Sequence, residues 1–168
     1  MSSNLFFRAP SEWVKLVVST LEKRLNINID TAYRREAKEP IHTLITYQVG
    51  ESEPVNHAGN DGRKLHEIEL RFLVEVPTAV GDFDLEALDA STRLERELLN
   101  ERFGCFNDVE DTRLISNLPR KFDPDNGVLL RVVTIKQRIY MGPVGEDWHQ
   151  IVGNSHYDAG VDETPKVA

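Results

Sequence analysis

His66-Glu67-Ile68-Glu69-Leu70-Arg71-Phe72-Leu73-Val74-Glu75-Val76 decides how this chain folds. His66, Ile68, Leu70, Phe72, Val74 and Val76 fall on one side of an extended backbone, and Glu67, Glu69, Arg71 and Glu75 on the other. Successive side chains of a strand point to opposite faces, so this alternation predicts a strand over Leu65 to Val76 with one packed face and one polar face.

Upstream, Ile41, Thr43, Ile45, Tyr47 and Val49 alternate in a segment rich in β-formers, which predicts a second strand and, with the first, a long-looped hairpin. Gly50 to Gly62 holds three Gly, a Pro and two Asn without periodicity and is expected to be the exposed loop between them. A short strand is expected within Asn28 to Arg35. Nearer the amino end, Trp13, Val14, Leu16, Val17, Val18, Leu21 and Leu25 recur at helical spacing after Ser11, a residue able to cap. Glu12 near the start and Lys23 and Arg24 near the end complement the helix dipole.

Downstream, Pro77 to Gly81 breaks the strand, and Asp82 or Asp84 can cap a second helix running to about Arg102. Its apolar residues are Leu85, Leu88, Leu94, Leu98 and Leu99, and Gly104 is expected to close it. Asn107 to Lys121 reads as an irregular acidic segment, and Asp123-Pro124-Asp125-Asn126-Gly127 as a turn. Val128 to Met141 is the last expected strand, with Val133, Ile135, Ile139 and Met141 on one face and Thr134, Lys136 and Arg138 on the other; Gly142-Pro143 stops it.

These elements predict an α+β domain, a two-layer sandwich in which a mostly antiparallel sheet is covered by two helices. It is expected over residues 11–145, with an amino-terminal arm at 1–10 and an extended carboxyl-terminal arm at 146–168. That last segment is too poor in apolar residues to form a core of its own, yet it carries Trp148, Ile151 and Tyr157 as separated anchors suited to docking.

Composition narrows the function. The 168 residues carry 28 acidic and 20 basic side chains, a net charge of -8 that argues against general binding to nucleic-acid phosphates. An apolar share of 40% can close an ordinary core without disulfides or a structural metal. Cys105 is the single cysteine, so no intrachain disulfide can form, and a reducing cytoplasm is the expected folding compartment. The Leu5-Phe6-Phe7 cluster is too brief for a signal-peptide core or a membrane span.

Candidate chemistry is sparse. The histidines at 42, 57, 66, 149 and 156 show no pair at metal-binding helical spacing, and His66 on an apolar strand face reads as a hydrogen-bonded core histidine. The 123–127 turn places its Gly one position early for a calcium loop and lacks the closing Glu. Asp108, Glu110 and Asp111 could serve as an acid/base pair but sit in a charged loop without a neighbouring motif. The phosphate-loop, dinucleotide, serine-hydrolase and zinc-protease signatures are missing. No catalytic residue, cofactor or metal site is therefore expected.

The order of helix, strands, hairpin, helix and strand resembles the tail terminator proteins of long-tailed bacteriophages and the collar proteins of R-type bacteriocins. The strand His66 to Val76, the helix after it and the strand Val132 to Pro143 carry the resemblance, over about residues 11–143. It implies a structural subunit of a phage tail or phage-tail-like particle, assembled in the bacterial cytoplasm. Six copies would form a ring that caps the tail tube, stops its elongation and offers a collar or head-joining surface. Its partners would be further copies of itself, the tube and sheath subunits and a head-tail connector, with no membrane and no specific nucleic acid. Under this resemblance Glu67, Glu69, Arg71, Glu75, Lys136 and Arg138 form a subunit-contact face or an acidic channel wall that would not trap phosphates; the plain alternative is a solvated face. A ferredoxin-like ligand-binding or regulatory module and a small enzyme are the competing readings; either would require a pocket.

Overall fold

The structure, a computed structural model, describes residues 7–36, 38–55 and 63–142. Helix α1 spans Pro10–Leu25, strand β1 Asp30–Thr31, β2 Leu44–Pro54, β3 Lys64–Pro77, helix α2 Phe83–Leu98, β4 Arg113–Asp123 and β5 Val128–Met141; a 3-10 turn, Ala32–Arg34, follows β1. The sheet order is β1-β2-β3-β5-β4, antiparallel except for the short parallel β1–β2 pair. Both helices pack on one face, making the α+β two-layer sandwich expected from the sequence.

Period-2 patterning accounts for the centre of the sheet. Ile68, Leu70, Phe72, Val74 and Val76 of β3 and Val133, Ile135 and Ile139 of β5 are all buried beneath the helices. β3 and β5 pair without interruption from Lys64↔Met141 to Pro77↔Val128. In α1 the apolar stripe Trp13, Val14, Val17, Val18 and Leu21 meets this face. Pro10, pre-set for helical φ and needing no amide partner, opens the helix; Ala9 rather than Ser11 is the cap residue. Asn26, left-handed at φ 52°, ends it. Phe7 lies in the core and its carbonyl accepts from the Gly142 amide at 3.0 Å, so the chain joins the body before residue 11.

Several expectations are corrected. The second helix ends at Leu98, because Leu99 is extended and Asn100 left-handed, well before Gly104. It buries Ala87, Ser91, Leu94 and Leu98, whereas Leu85, Leu88 and Leu99 are exposed. Small residues at 87 and 91 let the helix approach the sheet closely, and that choice of face turns Leu85 and Leu88 toward solvent, while Leu99 lies past the helix end. The segment read as irregular contains β4, an edge strand with register shifts between Leu114 and Ser116 and between Pro119 and Lys121. β2 starts at Leu44 and runs on to Pro54, into the stretch expected as loop, leaving Ile41 89% exposed ahead of it.

Candidate functional site

The face of the sheet opposite the helices is where the sequence placed its contact or channel residues. Register sets charges of opposite sign directly across from one another: Glu67↔Arg138 and Glu69↔Lys136 are partners between β3 and β5, and Arg113 of β4 lies beside Lys136. Cross-strand neighbours on one face are close enough to interact, so a lattice results. The Glu67 carboxylate accepts from Arg113 at 2.6 Å and from Arg138 at 3.0 Å. Glu69 pairs with Arg71 at 2.5 Å, and Lys136 lies 3.6 to 4.0 Å from Glu51, Glu67 and Glu69. Arg138 also reaches Glu110 at 3.8 Å.

The glutamates at the centre are not solvated. The side chains of Glu67 and Glu69 are each only 8% exposed, whereas those of Arg113, Arg138 and Arg71 are 54%, 40% and 39% exposed. Burial alone would raise the Glu67 carboxyl, but the hydrogen bond from Arg138 and the nearby Arg113 outweigh it and hold it below the usual carboxylate range. Gly50 on β2 belongs to the same arrangement, since a Cβ there would collide with the Glu69 carboxylate. The expectation of an acidic wall is corrected accordingly. Four carboxylates, Glu51, Glu67, Glu69 and Glu110, face four cations, Arg71, Arg113, Lys136 and Arg138, and solvent meets mainly guanidinium groups over the central pair. The arginines of this lattice remain open to solvent, while the two central glutamates do not.

Of the six residues singled out, Glu67, Glu69, Arg71, Lys136 and Arg138 come together; Glu75 does not. It lies toward the other end of β3 and pairs with Arg35 at 3.0 Å. Arg113 was missed because its strand was missed. Trp148, Ile151 and Tyr157 lie outside the described residues.

A second feature escaped the sequence. Gln137, on the apolar side of β5, is fully buried and accepts from the Trp13 indole at 2.6 Å. Its amide donates to the carbonyls of Glu101 at 3.0 Å and Glu110 at 2.7 Å, tying α1, β5 and the loop before β4 together. The strand parity alone would have placed this side chain in the core. His66 also departs from expectation: it is half-buried, and among the described residues its buried Nδ1 has no hydrogen-bond partner. Burial and, secondarily, Lys64 lower its pKa.

On the helix-covered side, a cleft of about 420 Å³ lies between the end of α1, the start of β2 and one flank of α2. Leu25, Ile27, Leu44, Ile45 and Ala90 supply apolar wall, with His42, Glu86 and Arg93 at polar positions. Among the described residues no three His, Cys, Asp or Glu side chains are grouped to hold a metal ion. The Asp123 carboxylate bonds the Asn126 amide at 3.1 Å and its side chain at 2.7 Å, and these bonds first, then Lys121, lower its pKa. Burial, then Asp108, raises the Cys105 thiol, which disfavours its nucleophilic thiolate form. No described helix is long and apolar enough to cross a membrane.

No protein-family model matches this chain, and no curated protein matches it.

Proposed function

We propose that this protein is a structural ring subunit that caps the end of a phage or phage-like tail tube and catalyses nothing. The observation that carries the reading is the open sheet face, a surface spanning β2, β3, β5 and β4 and cross-braced by ion pairs. A stiff, extended face with paired charges suits repeated contact with identical subunits, whereas chemistry on a substrate calls for polar groups converging in a concavity. The resemblance of strand and helix order to tail terminator and collar proteins adds a specific role. The ring binds the finished tube, matches it on one side only, and leaves the other side for a collar or head connector. Six copies, and a place in the virion tail or a bacteriocin particle, follow from that resemblance. The arm carrying Trp148, Ile151 and Tyr157 is proposed to dock on the tube.

Purified protein added to polymerising tube subunits and imaged in negative stain should give tubes of limited length with an added disc at one end. Unlimited tubes with bare ends would overturn the reading. Truncation after Gly145 should abolish end binding while leaving the melting temperature nearly unchanged; a large drop in melting temperature would instead assign the arm to the fold.

A second reading, a small-ligand binding module, is favoured by the cleft between α1, β2 and α2. A rise in melting temperature with a small molecule, abolished by Ala90→Trp, would support it over the ring.

A further inference from the structure

We infer that Asn126-Gly127, in the turn between β4 and β5, is a covalent modification site at which this chain loses ammonia, and that the Asp123 carboxylate is the latch that slows the reaction. The site does not depend on the ring reading.

Asn126 is the one asparagine of the sequence that precedes a glycine. A backbone nitrogen can attack the side-chain amide of the residue before it, and glycine has no Cβ to obstruct the closure. The Gly127 nitrogen bonds to Asn126 Cγ, the Cγ–Nδ2 bond breaks, and ammonia leaves with the Gly127 amide proton. Water then opens the cyclic imide. Attack at Cγ gives aspartate, and attack at the Asn126 main-chain carbonyl gives isoaspartate. Asn126 is exposed, so water reaches it, and neither step consumes an oxidant or a cofactor.

The fold both requires this dipeptide and restrains it. Gly127 has φ 64°, a left-handed conformation that glycine adopts without strain, and a Cβ there would collide with the Glu39 carboxylate. Its carbonyl accepts from the Thr78 amide at 2.8 Å, which ties the turn to the end of β3. A larger residue at 127 is therefore refused, and restraint falls to the groups around Asn126. Asp123 Oδ1 accepts from the Asn126 backbone amide at 3.1 Å, and Oδ2 accepts from Nδ2 at 2.7 Å. Lys121, 3.2 Å from Oδ2, steadies the same carboxylate. The bond to Nδ2, strengthened by the carboxylate charge, holds the leaving nitrogen toward residue 123 and fixes the amide. The attacking group is engaged as well, since the Gly127 N–H donates to the Pro124 carbonyl at 3.3 Å. Both must leave these partners before the ring can close, so the folded turn reacts only while it is locally open.

The product does not restore the latch. Aspartate at 126 replaces an amide donor by a second carboxylate beside Asp123, and isoaspartate adds a methylene to the main chain of the turn.

Full-length protein aged in mildly alkaline buffer tests this. Methyl transfer by an isoaspartyl methyltransferase reads isoaspartate, and the mass of the tryptic peptide Phe122 to Arg131 locates the change. Wild type should react slowly when folded and much faster in concentrated urea. Asp123→Ser keeps a cap for the backbone amide but is too short to hold Nδ2. It should remain folded and react roughly two- to tenfold faster than wild type, the factor that loss of one hydrogen bond gives. Asn126→Ser should abolish the mass change in that peptide. Folded wild type reacting as fast as Asp123→Ser, or as fast as in urea, would overturn the latch. An unchanged peptide in aged, urea-unfolded wild type, or methyl acceptance undiminished in Asn126→Ser, would overturn the site itself.

Discussion

Gln137→Met removes a buried amide while keeping its length, and its cost follows from the geometry. Three hydrogen bonds are lost, but the three partners are not left in the same condition. The Glu101 carbonyl still accepts from the Thr112 amide at 3.2 Å and hydroxyl at 2.8 Å. The Trp13 indole and the Glu110 carbonyl are given no other partner among the described residues. A buried polar group left unsatisfied costs about 1 to 3 kcal/mol, so two of them cost about 2 to 6, less what the thioether gains by burial. The expected loss is about 3 kcal/mol, which for a domain of this size lowers the melting temperature by roughly 6 to 12 °C. Urea denaturation followed by tryptophan fluorescence measures it, and Trp13→Phe alone and combined with Gln137→Met supplies the coupling. A loss below about 1 kcal/mol, or costs that simply add in the double variant, would refute the bridging role of Gln137.

Phe72 is fully buried at the centre of β3, and Phe72→Ala should cost about 3 to 5 kcal/mol in the same denaturation assay. Glu67→Gln keeps the acceptor but removes the charge, and because both arginines reach solvent the cost at pH 7 should be about 1 kcal/mol. The folded Glu67 carboxyl lies below its ordinary value of 4.5, so its contribution is present above that pH and is lost as pH falls through the folded value. Melting curves of wild type and Glu67→Gln should therefore converge in acid; a constant gap would contradict the ion pair. His66 is held below its ordinary value of 6.5, so the unfolded chain takes the proton first and wild-type stability declines as pH drops below 6.5. His66→Leu should flatten that decline and match or exceed wild-type stability at pH 8, and a steeper pH dependence in the variant would count against the buried imidazole.

The alternation of Leu65 to Val76 and of Val132 to Met141, and the helical spacing of Trp13 to Leu21, were sufficient to place the two central strands, the first helix and the fold class. In each case many apolar residues repeat at a backbone period, and burial of one face is the only way to use them. The carboxylates of Glu67 and Glu69 were likewise legible as the opposite face, and their partners Arg138 and Lys136 as residues of the same kind.

Tertiary structure decided the rest. Arg113 to Asp123 has bulges, a proline and mostly exposed side chains, so no local period marks it as a strand; only the edge of β5 makes it one. Which stripe of α2 faced the sheet depended on how closely Ala87 and Ser91 could approach, a property of two packed surfaces and not of a leucine count. The resemblance allowed an acidic wall, yet Glu67 is buried under arginines of the two neighbouring strands β5 and β4, and the second of those strands was invisible to pattern. Periodicity reports which way a side chain points from its own backbone. What lies opposite it is set by residues distant in sequence, and that determines the lattice on the open face.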